Sequence, residues 1–297
     1  MPVVRSLLVL VVPPRRALRA LRRVRLALTT FGLLLAATAP VAAQPTDGER
    51  AWRAGQDAAL RGAADSALTA YAEALRLARQ DRDQELASAA RLGMAEVWDV
   101  WRRCRDSARA AYTDAVQFAS EGDYAAADAF IIWLARQGLD SEARNLHART
   151  YLPIENEVPR TITRESVHFL ISLAAIQVAN SSRSGAMSSL VSSRDIANRL
   201  SVGDQYEVEN GGVTAANYWS LHDIAMLQIN APSGPVRNVA AGRALLARVD
   251  AARNVSDNGG HPRFTVGRLA DRVARARRSC TGASCRLPAA PTRPRCP

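Results

Sequence analysis

Four tryptophans and the arginines beside them are the side chains best suited to recognition chemistry in this chain of 297 residues. Trp98 and Trp101 stand three apart, a spacing that puts both on one face of a helix, and Arg102 and Arg103 follow directly. Trp52, with Gln56 one turn later, and Trp133 fall at comparable places in other helical stretches. Rings set among guanidinium groups suit a peptide that brings apolar anchors and carboxylates. The plainer alternative is that these indoles fill space between helices, where a large aromatic buries much area.

Catalytic chemistry finds less support. All 39 basic side chains are arginine, which removes Schiff-base chemistry and lysine-dependent phosphate loops. His147, His168, His222 and His261 are scattered, with no pair at metal-ligand spacing. Glu155 and Glu157 form a near pair of carboxylates, but in a proline-flanked stretch that reads as solvated linker rather than a glycosidase dyad. The acidic loop Gly203–Gly212 lacks the ordered ligand spacing of an EF-hand. The expectation is therefore no enzyme, no metal and no cofactor. Were the chain an enzyme, its active site would lie in residues 160–280, around His168, His222 and Asp223.

The elements that position these residues are helices. From Glu49 to about Thr150 the chain is rich in Ala, Arg and Leu with few breakers. Asp65–Ala78 lines up with Asp106–Ala119 at an offset of 41 residues, matching Ala67 with Ala108, Tyr71 with Tyr112 and Ala74 with Ala115. A weaker third copy carries Gly138, Ala143 and His147. Repeats of this length mean stacked helical hairpins. Small residues such as Gly55 and Ala67 let paired helices approach, the tyrosines supply bulk at the next junction, and Gly62, Gly122 and Gly138 fall where turns belong.

These residues resemble the tetratricopeptide repeat family over about residues 48–150. Repeat one has Gly55, Ala67, Tyr71 and Ala74, and repeat two has Leu92-Gly93, Ala108, Tyr112 and Ala115 with three extra residues in its first helix. Repeat three places His147 where an aromatic is usual. Trp52 stands one residue off the family's tryptophan site, Ala58 and Glu96 replace a common tyrosine, and the terminal proline is missing. The resemblance implies an all-α, right-handed solenoid of antiparallel hairpins whose first helices line a concave groove for an extended peptide or a partner's helix. Trp52, Gln56, Trp98, Trp101, Arg102, Arg103 and Trp133 are then the candidate binding residues.

Beyond a linker at 151–160, residues 161–279 read as degenerate hairpins. Arg164–Asn180 pairs with Gly185–Leu200 around Ser181–Ser184, and Val213–Ile229 pairs with Val236–Arg253. A last amphipathic helix, His261 to about Arg278, is expected to cap the stack. Residues 280–297 read as a disordered tail rich in Cys, Pro and Arg.

The formal charge of +11 sits at the two ends. Residues 1–43 hold seven arginines and no acid, and 263–297 hold nine against Asp271 alone, so residues 44–262 carry a net −4. A basic isoelectric point here is no argument for nucleic-acid binding. The cationic stretch, the apolar run from Leu26 to Val41 and the small residues Val41-Ala42-Ala43 read as an export signal cut after Ala43. The mature chain, 44–297, is then periplasmic or secreted, and the arginine-only, alanine-rich composition fits a GC-rich bacterial genome. In an exported protein the four cysteines suggest disulfides, with Cys280–Cys285 the shortest closure. The expected partner is a protein or peptide of the cell envelope. Membrane contact would come only through an uncleaved signal or the basic tail, which offers a polymer- or lipid-binding alternative.

Overall fold

Thr46 begins the ordered architecture by closing a capping box: its hydroxyl accepts from Glu49 N and its own N–H donates to the Glu49 carboxylate. The computed structural model describes residues 45–119, 124–152, 154–155, 158, 162–200, 212–214, 217–252, 268–279 and 296, all but Pro45 within one unit, residues 46–297. Eleven α-helices and no strands occur among the described residues. They are α1 Asp47–Leu60, α2 Ala64–Asp81, α3 Gln84–Val97, α4 Arg105–Gln117, α5 Ala125–Arg136 and α6 Asp140–Tyr151. They continue with α7 Arg164–Ala179, α8 Arg183–Leu200, α9 Tyr218–Asn230, α10 Val239–Ala251 and α11 Leu269–Ser279. None is long and apolar enough to cross a membrane. The export segment, Gly122, Glu157, residues 203–211, the expected helix start at His261, and Cys280 and Cys285 lie outside the described residues.

Helix starts follow side-chain chemistry. Asp83, Thr163 and Asn238 each accept a backbone N–H of the first turn of α3, α7 and α10. Gly62 and Gly138, at φ +76° and +73°, make the left-handed turns that end α1 and α5. Each helix from α1 to α10 packs against its neighbour in sequence, and α1, α3, α5 and α7 also touch in succession, forming one continuous layer.

The matched repeat positions are buried alike. Ala67, Ala108 and Ala143 are each fully buried, as are Ala74 and Ala115, and Tyr71 and Tyr112 nearly so. The Tyr71 ring passes between two glycines: a Cβ on Gly55 would lie 2.7 Å from it, and one on Gly93 2.5 Å. His147 serves as an aromatic in the third copy, its ring 4.7 Å from Phe169 and 5.1 Å from Tyr151. α3 runs on into a single π turn, Trp98–Arg102.

The final helix does not cap the end of the stack. α11 lies against α1 and α3, where Leu269 and Val273 join the first hydrophobic cluster with Trp52, Tyr71 and Trp101. Its polar side pairs with acids of α9 and α10, and that is why it turns back. A second cluster runs from Ala95 to Leu227, and Ile154 and Val158 pack against it.

Candidate functional site

The seven expected binding residues do not form one groove. Trp98 and Trp101 face different clusters, because the i→i+5 closure of the π turn widens the helix so that residues three apart no longer stack. Trp101 is 3% exposed and donates its indole N–H to the Ala59 carbonyl at 2.8 Å, fixing α1 to the π turn. It is a core residue, and the expectation that it lines a binding surface is corrected. Arg102, in the π turn, is paired with Asp65 of α2. Trp52 and Gln56 line one recess and Arg103 and Trp133 a second, each bordered by α11, and Trp98 lines neither.

The first recess is a mostly enclosed cavity of about 130 Å³. Trp52 and Gln56 of α1, Tyr71 of α2 and Glu96 of α3 line one side, and Asp128 of α5 and His168 of α7 line the other. Ala125, Ala129, Ile132 and Ile171 supply apolar wall, and Trp219, Arg268 and Arg272 complete it from α9 and the start of α11. Glu96 lies near the C-terminal end of α3. Here its Oε1 accepts the N–H of Leu269 at 3.0 Å, so it caps α11. Burial pushes this carboxyl up to about 7, against the Leu269 hydrogen bond and the charge of Arg272.

Across the cavity, Asp128 accepts from the Tyr151 hydroxyl on one oxygen and lies 2.5 Å from His168 Nδ1 on the other. Tyr124 stacks on both Tyr151 and His168. This Tyr–Asp–His cluster joins residues 23 and 40 positions apart, which no local spacing announces. Neighbouring His147 is held below its ordinary value by burial.

His222, Asp223, Arg268 and Asp271 form a second polar cluster. Arg268 bonds Asp223 at 2.6 Å and Asp271 at 2.7 Å, and its guanidinium covers the Trp219 ring at 4.9 Å. His222 Nδ1 lies 3.2 Å from Asp223 and Nε2 3.9 Å from Asp271. The ligand atoms of His222, Asp223 and Asp271 lie within 4.8 Å of one another, close enough for a divalent cation. The guanidinium of Arg268 already bonds both carboxylates, so a metal would have to compete with it. Burial opposes charge at His222, Asp223 and Arg268. Even so, the field of Arg268 holds Asp223 below the usual carboxylate range, and Asp223 and Asp271 raise His222 above its ordinary value.

The second recess is an open groove of about 500 Å³ between the π turn, the end of α5 and α11. Trp133, Arg103, Arg105 and Arg136 line it, with Asp99 as its one acid and Val100, Ala270, Val273 and Ala274 as its apolar floor. Asp99 accepts from Trp133 Nε1 and Arg136 Nη2, each at 3.2 Å. Burial nonetheless raises its pKa. Cys104 on the rim is bonded to Cys296, 192 residues away, with Cα atoms 5.2 Å apart. A Cys104–Cys296 bond leaves Cys280 and Cys285 only each other among the four cysteines.

The chain matches no family model, no curated protein and no solved structure.

Proposed function

We propose that this chain is an exported, non-enzymatic scaffold of the tetratricopeptide type, a right-handed solenoid of helical hairpins that holds a protein or peptide of the cell envelope. The observation that carries this reading is the open groove beside α11. Arg103, Arg105 and Arg136 face a single acid there, over an apolar floor and the edge of Trp133. Such a recess favours an extended segment that places an apolar side chain on the floor and carboxylates on the rim. The inner face, where the concave groove was expected, is partly taken by α11. Neither nucleic acid nor a cofactor belongs to this reading, and membrane contact is confined to an uncleaved signal or the basic tail.

The test is crosslinked capture from native envelope extract with residues 44–297 as bait, beside an Arg103→Glu/Arg105→Glu variant. Both side chains are exposed and form no ion pair with a described residue, and Glu in the first turn of α4 suits the helix dipole, so the variant is expected to fold, with helicity as the check. One protein captured by the wild type and lost in the variant supports the scaffold and its groove. Equal capture by both moves the binding surface elsewhere. The Asp128–His168 pair facing the cavity favours an envelope enzyme as the second reading. Replacing all four histidines and leaving every behaviour unchanged would remove it.

A further inference from the structure

The buried indoles of this protein are not treated alike. Trp101 and Trp133 both donate their N–H groups to protein acceptors. Trp52 is as deeply buried, at 3% exposure, yet its N–H makes no hydrogen bond to any described residue and its ring lines the inner cavity. Tyr71, also 3% exposed, reaches the same cavity between Gly55 and Gly93, and its hydroxyl is likewise unpartnered among the described residues. Deeply buried donors are ordinarily satisfied. Both donors open onto the cavity rather than onto a protein acceptor, so they are met by whatever occupies it, water or guest.

The acceptors on the wall are already engaged. Asp128 receives Tyr151 and His168 on its two oxygens, and Glu96 receives Leu269 N–H on one of its own. The Trp219 face is covered by Arg268, so a cationic guest would meet a ring that already holds a cation. Arg272 and the N-terminal turn of α11 add positive potential on the same side. The volume of about 130 Å³ is close to the roughly 150 Å³ of an apolar cavity that admits benzene.

We propose that the inner cavity binds a small carboxylate with an apolar body the size of one ring. Its head is held by Trp52 N–H, Tyr71 O–H and Arg272, and its body lies on Ala129, Ile132 and Ile171. Glu96 gives this site a pH signature. Burial, Asp271 and Asp99 disfavour its charge, Arg272 favours it, and the Asp128–His168 pair lines the same cavity. Protonated, Glu96 donates to the guest, and ionised, it repels it, so affinity falls as pH rises through about 7.

The experiment is calorimetric titration of the full mature chain with benzoate, and with benzylamine as its cationic counterpart, at pH 6 and pH 8. Benzoate is expected to bind, about tenfold more weakly at pH 8 than at pH 6, with the pH dependence gone in Glu96→Gln. Tyr71→Phe, which keeps the ring between its glycines, is expected to weaken benzoate about tenfold, in line with one charge-assisted hydrogen bond. Ala129→Leu, which fills the cavity, is expected to abolish it. Preference for benzylamine overturns the proposal, as does benzoate binding indifferent to both substitutions. Failure of both probes to bind overturns it too and leaves a cavity that holds water only. The site is independent of the arginine groove: Arg103→Glu/Arg105→Glu is expected to leave benzoate binding unchanged.

Discussion

The α1–α3 face and the α9–α10 face hold the same helix by different physics. Toward α1 and α3, α11 offers Leu269 and Val273, each 3% exposed, to a cluster of aromatic and small side chains. Toward α9 and α10 it offers Arg268 to Asp223, with Asp271 and His222 completing the network, and Arg278 to Asp250. Apolar contact adds free energy in proportion to area and is indifferent to proton concentration. A buried charge network contributes only while every member is present, and loss of one leaves the rest desolvated and unpaired. The first face therefore supplies stability, and the second decides where α11 can sit.

The largest effect should come from the apolar side. Trp101→Ala removes a buried indole and its bond to Ala59, and the expected loss is about 3–5 kcal/mol in denaturant unfolding. A loss under about 1 kcal/mol would show that Trp101 does not tie α1 to the π turn. Arg268→Ala comes next, at about 3 kcal/mol, because it leaves Asp223 and Asp271 without their cation. Its signature is local: amide exchange should accelerate in α11 while α5 and α7 stay protected. Uniform acceleration across all helices would break the division between the two faces.

The two faces also separate by pH, through groups whose shifts run in different directions. His222 is raised above 6.5, so its contribution is fully present below that value and is lost as pH rises through its folded pKa. Asp223 is depressed below 3.8, so its contribution holds above that value and is lost as pH falls through its folded pKa. Glu96 is an acid raised from 4.5 to about 7. The folded chain keeps a proton the unfolded chain releases, and stability falls between those values as pH rises. Glu96→Gln keeps an acceptor for Leu269 N–H and removes that cost. The variant should gain about 1–3 kcal/mol over wild type at pH 8 and little at pH 5. An equal difference at both pH values in thermal melts would mean that Glu96 does not titrate in this range.

What could be read from the residues alone divides along similar lines. The 41-residue offset marked Ala67, Tyr71 and Ala74 and their partners, and these positions are buried as a repeat requires. The Ser181–Ser184 turn was legible because serines interrupt two apolar runs of helical period, and α7 and α8 flank it. The place of α11 was not legible. Its amphipathic pattern says that one face is buried but not against what, and its partners Glu96 and Asp223 lie 173 and 45 residues away. The splitting of the tryptophans was hidden for another reason: a single π turn rotates the helix between Trp98 and Trp101, and no composition signal marks it. Glu96 did leave a trace, as the residue that stands where the tetratricopeptide resemblance expects a tyrosine.

The smallest effect tests the ionic face at its outer edge. Arg278 meets Asp250 of α10 with two bonds, at 2.7 and 2.8 Å, but its side chain is 33% exposed. The hydrogen bonds to Asp250 raise its pKa despite partial burial, and water screens most of what that shift implies. Arg278→Ala should therefore cost about 0.5–1 kcal/mol, fading as salt is raised to 1 M. Arg109→Ala is the matching control, since Arg109 reaches Glu142 between α4 and α6, away from α11. Both should show the same small, salt-sensitive loss in denaturant unfolding, but only Arg278→Ala should quicken exchange in the last turn of α11. If Arg278→Ala instead matches Arg268→Ala in size, the anchor of α11 lies at its C-terminal end and the buried network around His222 is secondary.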